Sequence, residues 1–145
     1  MERVIGIGGL FFRAKDPEAL NAWYAEHLGA SGGPHTEEVW QQEAGPTVWS
    51  AFDADTDYFG RREQAWMVNF RVRDLDAMLA QLGAAGAQVD AKVEEYDYGR
   101  FGWASDPEGN RFELWEPKPP SPSPILSSSS MPQPCGAPWP PLVAP

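Results

Sequence analysis

Asp106-Pro107-Glu108-Gly109-Asn110-Arg111-Phe112-Glu113-Leu114-Trp115 joins a turn to a strand. Asp, Pro, Gly and Asn are the residues that close tight turns. From Arg111 onward polar and apolar side chains alternate, as they do on a strand with one buried face. Arg111, Glu113 and Trp115 share one face, Phe112 and Leu114 the other. The second pair is the better core face, so the alternation sends Glu113 and Trp115 towards an open side of the sheet. Residues 101–105 run into the same turn and form the hairpin partner, and residues 89–96 supply a further strand.

Working upstream, a helix precedes these strands. Asp74 is placed to cap it, Asp76 adds first-turn acidity, and Leu75, Met78, Leu79 and Leu82 make its apolar stripe, with Gly86 as the stop. A strand-like stretch at 65–72 comes before the helix. The same pattern occurs 58 residues earlier, where 12–22 lies over 70–80 with five identical residues. There Asp16 is the cap, Pro17 suits the first helical position, Leu20, Trp23, Tyr24 and Leu28 form the stripe, and Gly29 ends it. The chain therefore reads as two related β-α-β-β-β modules, an α+β fold, over about 4–58 and 65–116. In the first module the strands are expected at 4–13, around 37–42 and at 47–52.

From Pro117 to Pro145 the composition changes. This stretch holds eleven of the fifteen prolines and six serines, and Lys118 is its only charged residue. Such a segment cannot build a core and reads as a disordered tail, domain 1–116 ending where it begins. Its single cysteine, Cys135, excludes an intrachain disulfide. The whole chain, 145 residues with a net charge of −10, repels a phosphate backbone, which argues against nucleic acid. No apolar run reaches the length of a membrane span. The first residues lack the apolar core of a secretory signal, so a cytoplasmic protein is expected.

Two such modules, the second ending in the run quoted above, resemble the vicinal oxygen chelate superfamily of glyoxalase I, bleomycin-resistance proteins and extradiol dioxygenases. The resemblance covers 4–116. It implies a half-barrel cleft formed by the two modules and, in the enzymes, a divalent metal held there by His or Glu. Carried onto this sequence, the ligand positions fall on Gly9, Ser50, Met67 and Glu113. Of these only Glu113 is a ligand of the family type, and one carboxylate does not make a metal site. The resemblance thus implies no cofactor, with a divalent metal on a non-standard site as the alternative. Family members commonly pair, so a homodimer is also implied.

The two histidines fit better as surface groups than as ligands: His27 sits at a helix end and His35 in a Gly-Pro loop. Asp53, Asp55 and Asp57 read as a solvated turn. The resemblance, which matches Ser50 to Glu113, implies that Ser50 and, by strand parity, Phe52 join Met67, Glu113 and Trp115 on the cleft side, and Arg71, Tyr96 and Tyr98 complete the candidate ligand-binding set. A pocket of aromatic walls around one carboxylate favours a flat or cationic organic ligand. The function expected is sequestration of a small molecule, as in bleomycin-resistance proteins. The alternative is a glyoxalase, lyase or dioxygenase type of enzyme with Glu113 as its catalytic base.

Overall fold

The computed structural model describes residues 1–32 and 39–118. His35, the start of the segment 37–42 and the Pro/Ser-rich segment from residue 119, Cys135 included, lie outside the described residues. The chain divides into two compact units, residues 1–40 and 41–145.

The first unit contains helix α1, Pro17–Leu28. Asp16 caps it, accepting from the Ala19 amide at 3.1 Å, and Gly29 closes it with φ of +69°, a left-handed conformation that costs glycine nothing. Leu20 is the buried residue of its stripe. Trp23 packs edge-on against Tyr24 and tilts against His27, and Phe12 meets the Tyr24 ring at 6.1 Å.

The second unit contains, in order, β1 (Val68–Arg71), α2 (Leu75–Ala84), β2 (Gln88–Val89), β3 (Glu94–Tyr96), β4 (Gly99–Ser105) and β5 (Arg111–Pro117), one strand more than expected. The strands make an open sheet in the order β1-β5-β4-β2, with β3 also on β4. β5 is central. It runs parallel to β1, with Asn69 opposite Glu113, and antiparallel to β4, with Trp103 opposite Glu113. The strand expected over 89–96 is broken, and its two halves pair with the two ends of β4.

Helix α2 is capped as its sequence requires. Asp74 accepts from the Ala77 amide at 3.0 Å. At its far end Gly86, φ +84°, donates to Gly83 O while Ala87 donates to Leu82 O, the paired bonds of a Schellman stop. Leu75 and Leu82 are fully buried. The helix covers the sheet face of Phe112 and Leu114, where Gly102 on β4 leaves room for the Leu75 and Leu79 side chains.

The segments 4–13 and 47–52 are not strands. A helix satisfies its backbone from within, so α1 forms on local signals alone. A strand needs a neighbour to accept its amides, and among the described residues neither segment has a ladder partner. Of the elements expected over 4–58, helix α1 forms among the described residues. β5 also continues to Pro117, one residue past the expected boundary at 116, and the Lys118 amide bonds to Tyr98 O at 3.3 Å.

Candidate functional site

The face of the sheet away from α2 carries two zones. Towards the end of β5, Trp115 stacks on Phe101 with ring centroids 6.1 Å apart and planes at 3°, and its indole N–H donates to Tyr98 O at 3.3 Å. Tyr96 stacks on Tyr98 at 5.4 Å. These rings, with Trp103, form a buried aromatic cluster. Trp115 therefore shares the face of Glu113, as its parity demanded, but is buried in this aromatic cluster. Tyr98 is likewise buried. Burial pushes the ionisation of Tyr98 and Tyr96 above the ordinary phenol range, reinforced for Tyr98 by the Glu113 charge and for Tyr96 by its hydrogen bond to Glu94.

The second zone is an open cavity of about 540 Å³ over β1 and the first half of β5. Segment 48–54 supplies one wall, Ser50 and Phe52 among its lining residues. Tyr58, Phe59, Arg61 and Arg62 supply another, and Trp66, Met67, Asn69 and Glu113 the floor. Of the residues expected in the ligand-binding set, the structure brings together Ser50, Phe52, Met67 and Glu113. Arg71 lies elsewhere: its guanidinium donates to Pro46 O at 2.6 Å and Glu43 O at 2.8 Å. Tyr96, Tyr98 and Trp115 line no part of the cavity. Gly9 belongs to the first unit, where Phe11 is its nearest side chain.

Glu113 is the centre of the floor and is 1% exposed. Its carboxylate accepts three hydrogen bonds, from the Tyr58 hydroxyl, from Asn69 Nδ2 at 2.6 Å and from Trp103 Nε1 at 2.9 Å. Trp103 Nε1 also reaches the Tyr58 oxygen at 3.2 Å. A buried carboxylate is tolerated when donors replace the water it has lost, and each such bond to a charged group contributes about 1.5–3 kcal/mol. Burial pushes the Tyr58 hydroxyl far above its ordinary ionisation range, and the adjacent Glu113 charge adds to the shift. Tyr58 is thus a fixed neutral donor.

Tyr58, Asn69 and Trp103 were not singled out from the sequence. Asn69 was legible, since it stands two residues beyond Met67 and so shares its face. Trp103 follows from the hairpin register. Tyr58 sits in a loop and carries no periodic signal.

The loop holding Tyr58 is tied to the sheet by polar contacts. Arg111 Nε donates to Tyr58 O at 3.2 Å, and its guanidinium lies 5.6 Å from the Trp103 ring centroid while pairing with Asp90 at 2.8 Å. Gln64 accepts from the Arg111 amide and donates to Arg111 O. Arg61 donates to Asn110 Oδ1 at 2.9 Å and Arg62 to Asp55 O at 3.3 Å. The Asp53–Thr56 turn closes through Thr56 N to Asp53 O at 3.0 Å, so these aspartates do shape a surface turn.

The profile of the glyoxalase-like domain matches residues 9–115. Over 55 residues the chain is 44% identical to "Putative glyoxylase CFP32" of Mycobacterium bovis, and an equal match is found in Mycobacterium tuberculosis. That match covers 37% of this chain and 21% of the relative, so the chain spans about a fifth of these curated relatives. Among solved structures, TnmS3 from Streptomyces sp. CB03234, an antibiotic binding protein, superposes with a TM-score of 0.51 at 24% identity over 81% of this chain and all of TnmS3. A conserved domain protein superposes with a TM-score of 0.52 at 12% identity, over 79% of this chain and all of its own. These two share the fold. No helix among the described residues is long and apolar enough to cross a membrane.

Proposed function

The chain belongs to the glyoxalase-like domain family of the vicinal oxygen chelate superfamily, and on that premise we propose that it is a metal-free protein of the cytoplasm that binds a small, flat aromatic molecule in the cavity over Glu113. The observation that carries this reading is the state of the Glu113 carboxylate. Its oxygens receive hydrogens from Tyr58, Asn69 and Trp103. Those hydrogens put positive charge where a metal ion would have to sit. The remaining family positions offer a thioether at Met67, a hydroxyl at Ser50 that bonds to Ala51 O at 3.4 Å, and no side chain at Gly9. Hard and borderline cations are poorly served by such donors.

The same three bonds bear on catalysis and on ligand charge. A general base must accept a proton from substrate, whereas Glu113 already accepts three hydrogen bonds from the protein's own donors. A cationic ligand loses its anchor for the same reason. What remains is an aromatic surface: Phe52 and Tyr58 stack at 5.4 Å with planes at 20°, and Phe59 packs against Phe52 at 5.1 Å. Flat ligands are held by such walls through apolar area and ring stacking. The antibiotic binding by TnmS3, a protein of this fold, accords with that use.

Elemental analysis of protein purified without chelators tests the reading, together with calorimetric titration of planar aromatics. Substoichiometric metal and saturable binding that Phe52→Ala weakens are expected. Stoichiometric metal that is lost in Glu113→Gln would overturn it.

The assembly proposed is a homodimer. Among the described residues β1 stands at the end of the sheet, with β5 as its one neighbour, and a strand edge unpaired there invites a second chain. Sedimentation showing only a 16.0 kDa species would refute the pairing.

A further inference from the structure

The charges around the cavity are not equivalent, and their difference selects among aromatic ligands. Four charged side chains line it: Asp53, Arg61, Arg62 and Glu113. Glu113 is buried under its three donors, so its charge is already answered within the protein. The two guanidiniums are different. Arg61 bonds to the amide oxygen of Asn110 and Arg62 to the backbone oxygen of Asp55. Both partners are neutral, and among the described residues neither arginine has a carboxylate partner. Each guanidinium carries five donors in a planar fork, and one protein bond leaves the others for a ligand.

The hydrogen-bonding sense of the walls agrees. The Tyr58 hydrogen is committed to Glu113, and Asn69 offers a further N–H beyond the one it gives that carboxylate. Gln64 and Arg111 are engaged with each other. Beside the Asp53 carboxylate, the two guanidiniums and the second Asn69 N–H face the cavity as donors, and they call for an acceptor.

Resting on the reading of this cavity as an aromatic binding site, we propose that its ligand is an aromatic acid: a planar ring system held against Phe52, Tyr58 and Trp66, whose anionic oxygens are taken by Arg61 and Arg62. The arginines supply the discrimination. An oxyanion meets a charge-assisted, potentially bidentate pair, whereas a neutral ring of the same shape gains only stacking. A cationic ring meets two like charges, Arg61 and Arg62, against the single exposed carboxylate of Asp53, and no open carboxylate on the floor. The selection works against the net charge of −10, so it is a property of the rim and not of the protein's overall field.

Fluorescence titration of the full chain separates the possibilities with three probes: the anion 1-anilinonaphthalene-8-sulfonate, the neutral N-phenyl-1-naphthylamine of the same ring skeleton, and the cation proflavine. The sulfonate is expected to bind about tenfold or more tighter than the neutral probe, with an affinity that falls as salt rises. The double variant Arg61→Gln/Arg62→Gln should bring the sulfonate down to the neutral level and leave the neutral probe unchanged, while Arg61→Lys/Arg62→Lys keeps part of the preference. Ser50→Trp, which fills the cavity, should abolish binding of both naphthalenes. Equal affinities for the two naphthalenes, or a preference for proflavine, would overturn the acid and leave the aromatic cavity standing. Sulfonate binding that survives Ser50→Trp would place it elsewhere and overturn the inference. Failure of all three probes to bind would count against the cavity reading itself.

Discussion

Glu113 shows how far one side chain's role depends on its neighbours. Read from the strand alone it is an anchor waiting for a ligand, and removing its charge would relieve an uncompensated burial. With Tyr58, Asn69 and Trp103 bonded to it, the charge is compensated and its removal costs. Glu113→Gln keeps the volume and should destabilise the protein by about 1–3 kcal/mol, because charge-assisted bonds become neutral ones and the amide hydrogens face existing donors. Urea denaturation measures this, and an unchanged or raised midpoint would show that the donors contribute little. Tyr58 makes a second prediction at this scale. Its ionisation is raised in the fold above the ordinary value of 10.0 by burial and by Glu113. The neutral phenol therefore contributes stability that is fully present below about pH 10 and is lost as pH climbs towards the folded value, since only the unfolded chain ionises in that window. Stability should fall between about pH 10 and about pH 11.5, less steeply in Tyr58→Phe than in the wild type. Identical slopes for the two proteins would remove Tyr58 from the effect.

Among the elements, the turn and the two last strands set the site. Asp106 is 5% exposed; its carboxylate accepts from the amides of Glu108 at 2.9 Å and Asn110 at 3.0 Å and from Asn110 Nδ2 at 2.8 Å, and Gly109 takes φ of +81°. The quoted run was legible because each of these residues does a local job: the aspartate satisfies the turn's amides, the glycine turns the chain, and the strand that follows places Glu113 at its third residue. Gly99 has a different reason. A Cβ there would lie 2.6 Å from Glu116 O, a backbone atom that cannot step aside, and 2.4 Å from Trp115 Nε1. Gly99→Ala should therefore cost about 1–3 kcal/mol and loosen the Trp115–Phe101 stack. Thermal unfolding with near-ultraviolet circular dichroism checks both. The helices were equally legible, since Asp16 and Asp74 cap them and the buried helical residues, Leu20, Leu75 and Leu82, all belong to the expected stripes. The strands at 4–13 and 47–52 were not; in the second of these segments Val48 and Phe52 pack on the aromatic cluster, and Val48, Ser50, Ala51 and Phe52 all line the cavity.

For the whole molecule, the boundary of the folded part is the testable feature. Pro117 pairs with Gly99 and the Lys118 amide bonds to Tyr98 O, so the described body reaches Lys118. A chain truncated after Lys118 should melt within a few degrees of the full protein, because the removed segment is rich in proline and serine and poor in large apolar residues. A larger loss would show that the segment packs on the body. By itself the sequence determined the helices, the turn, the two faces of β5 and the family, because capping, turn chemistry and alternation act between residues close in the chain. Only the tertiary structure decided that Trp115 is core, that Arg71 clamps a loop, and that Glu113 is already held by Tyr58, 55 positions away. Those roles are set by which groups meet across the sheet and its loops, and no local spacing carries that information.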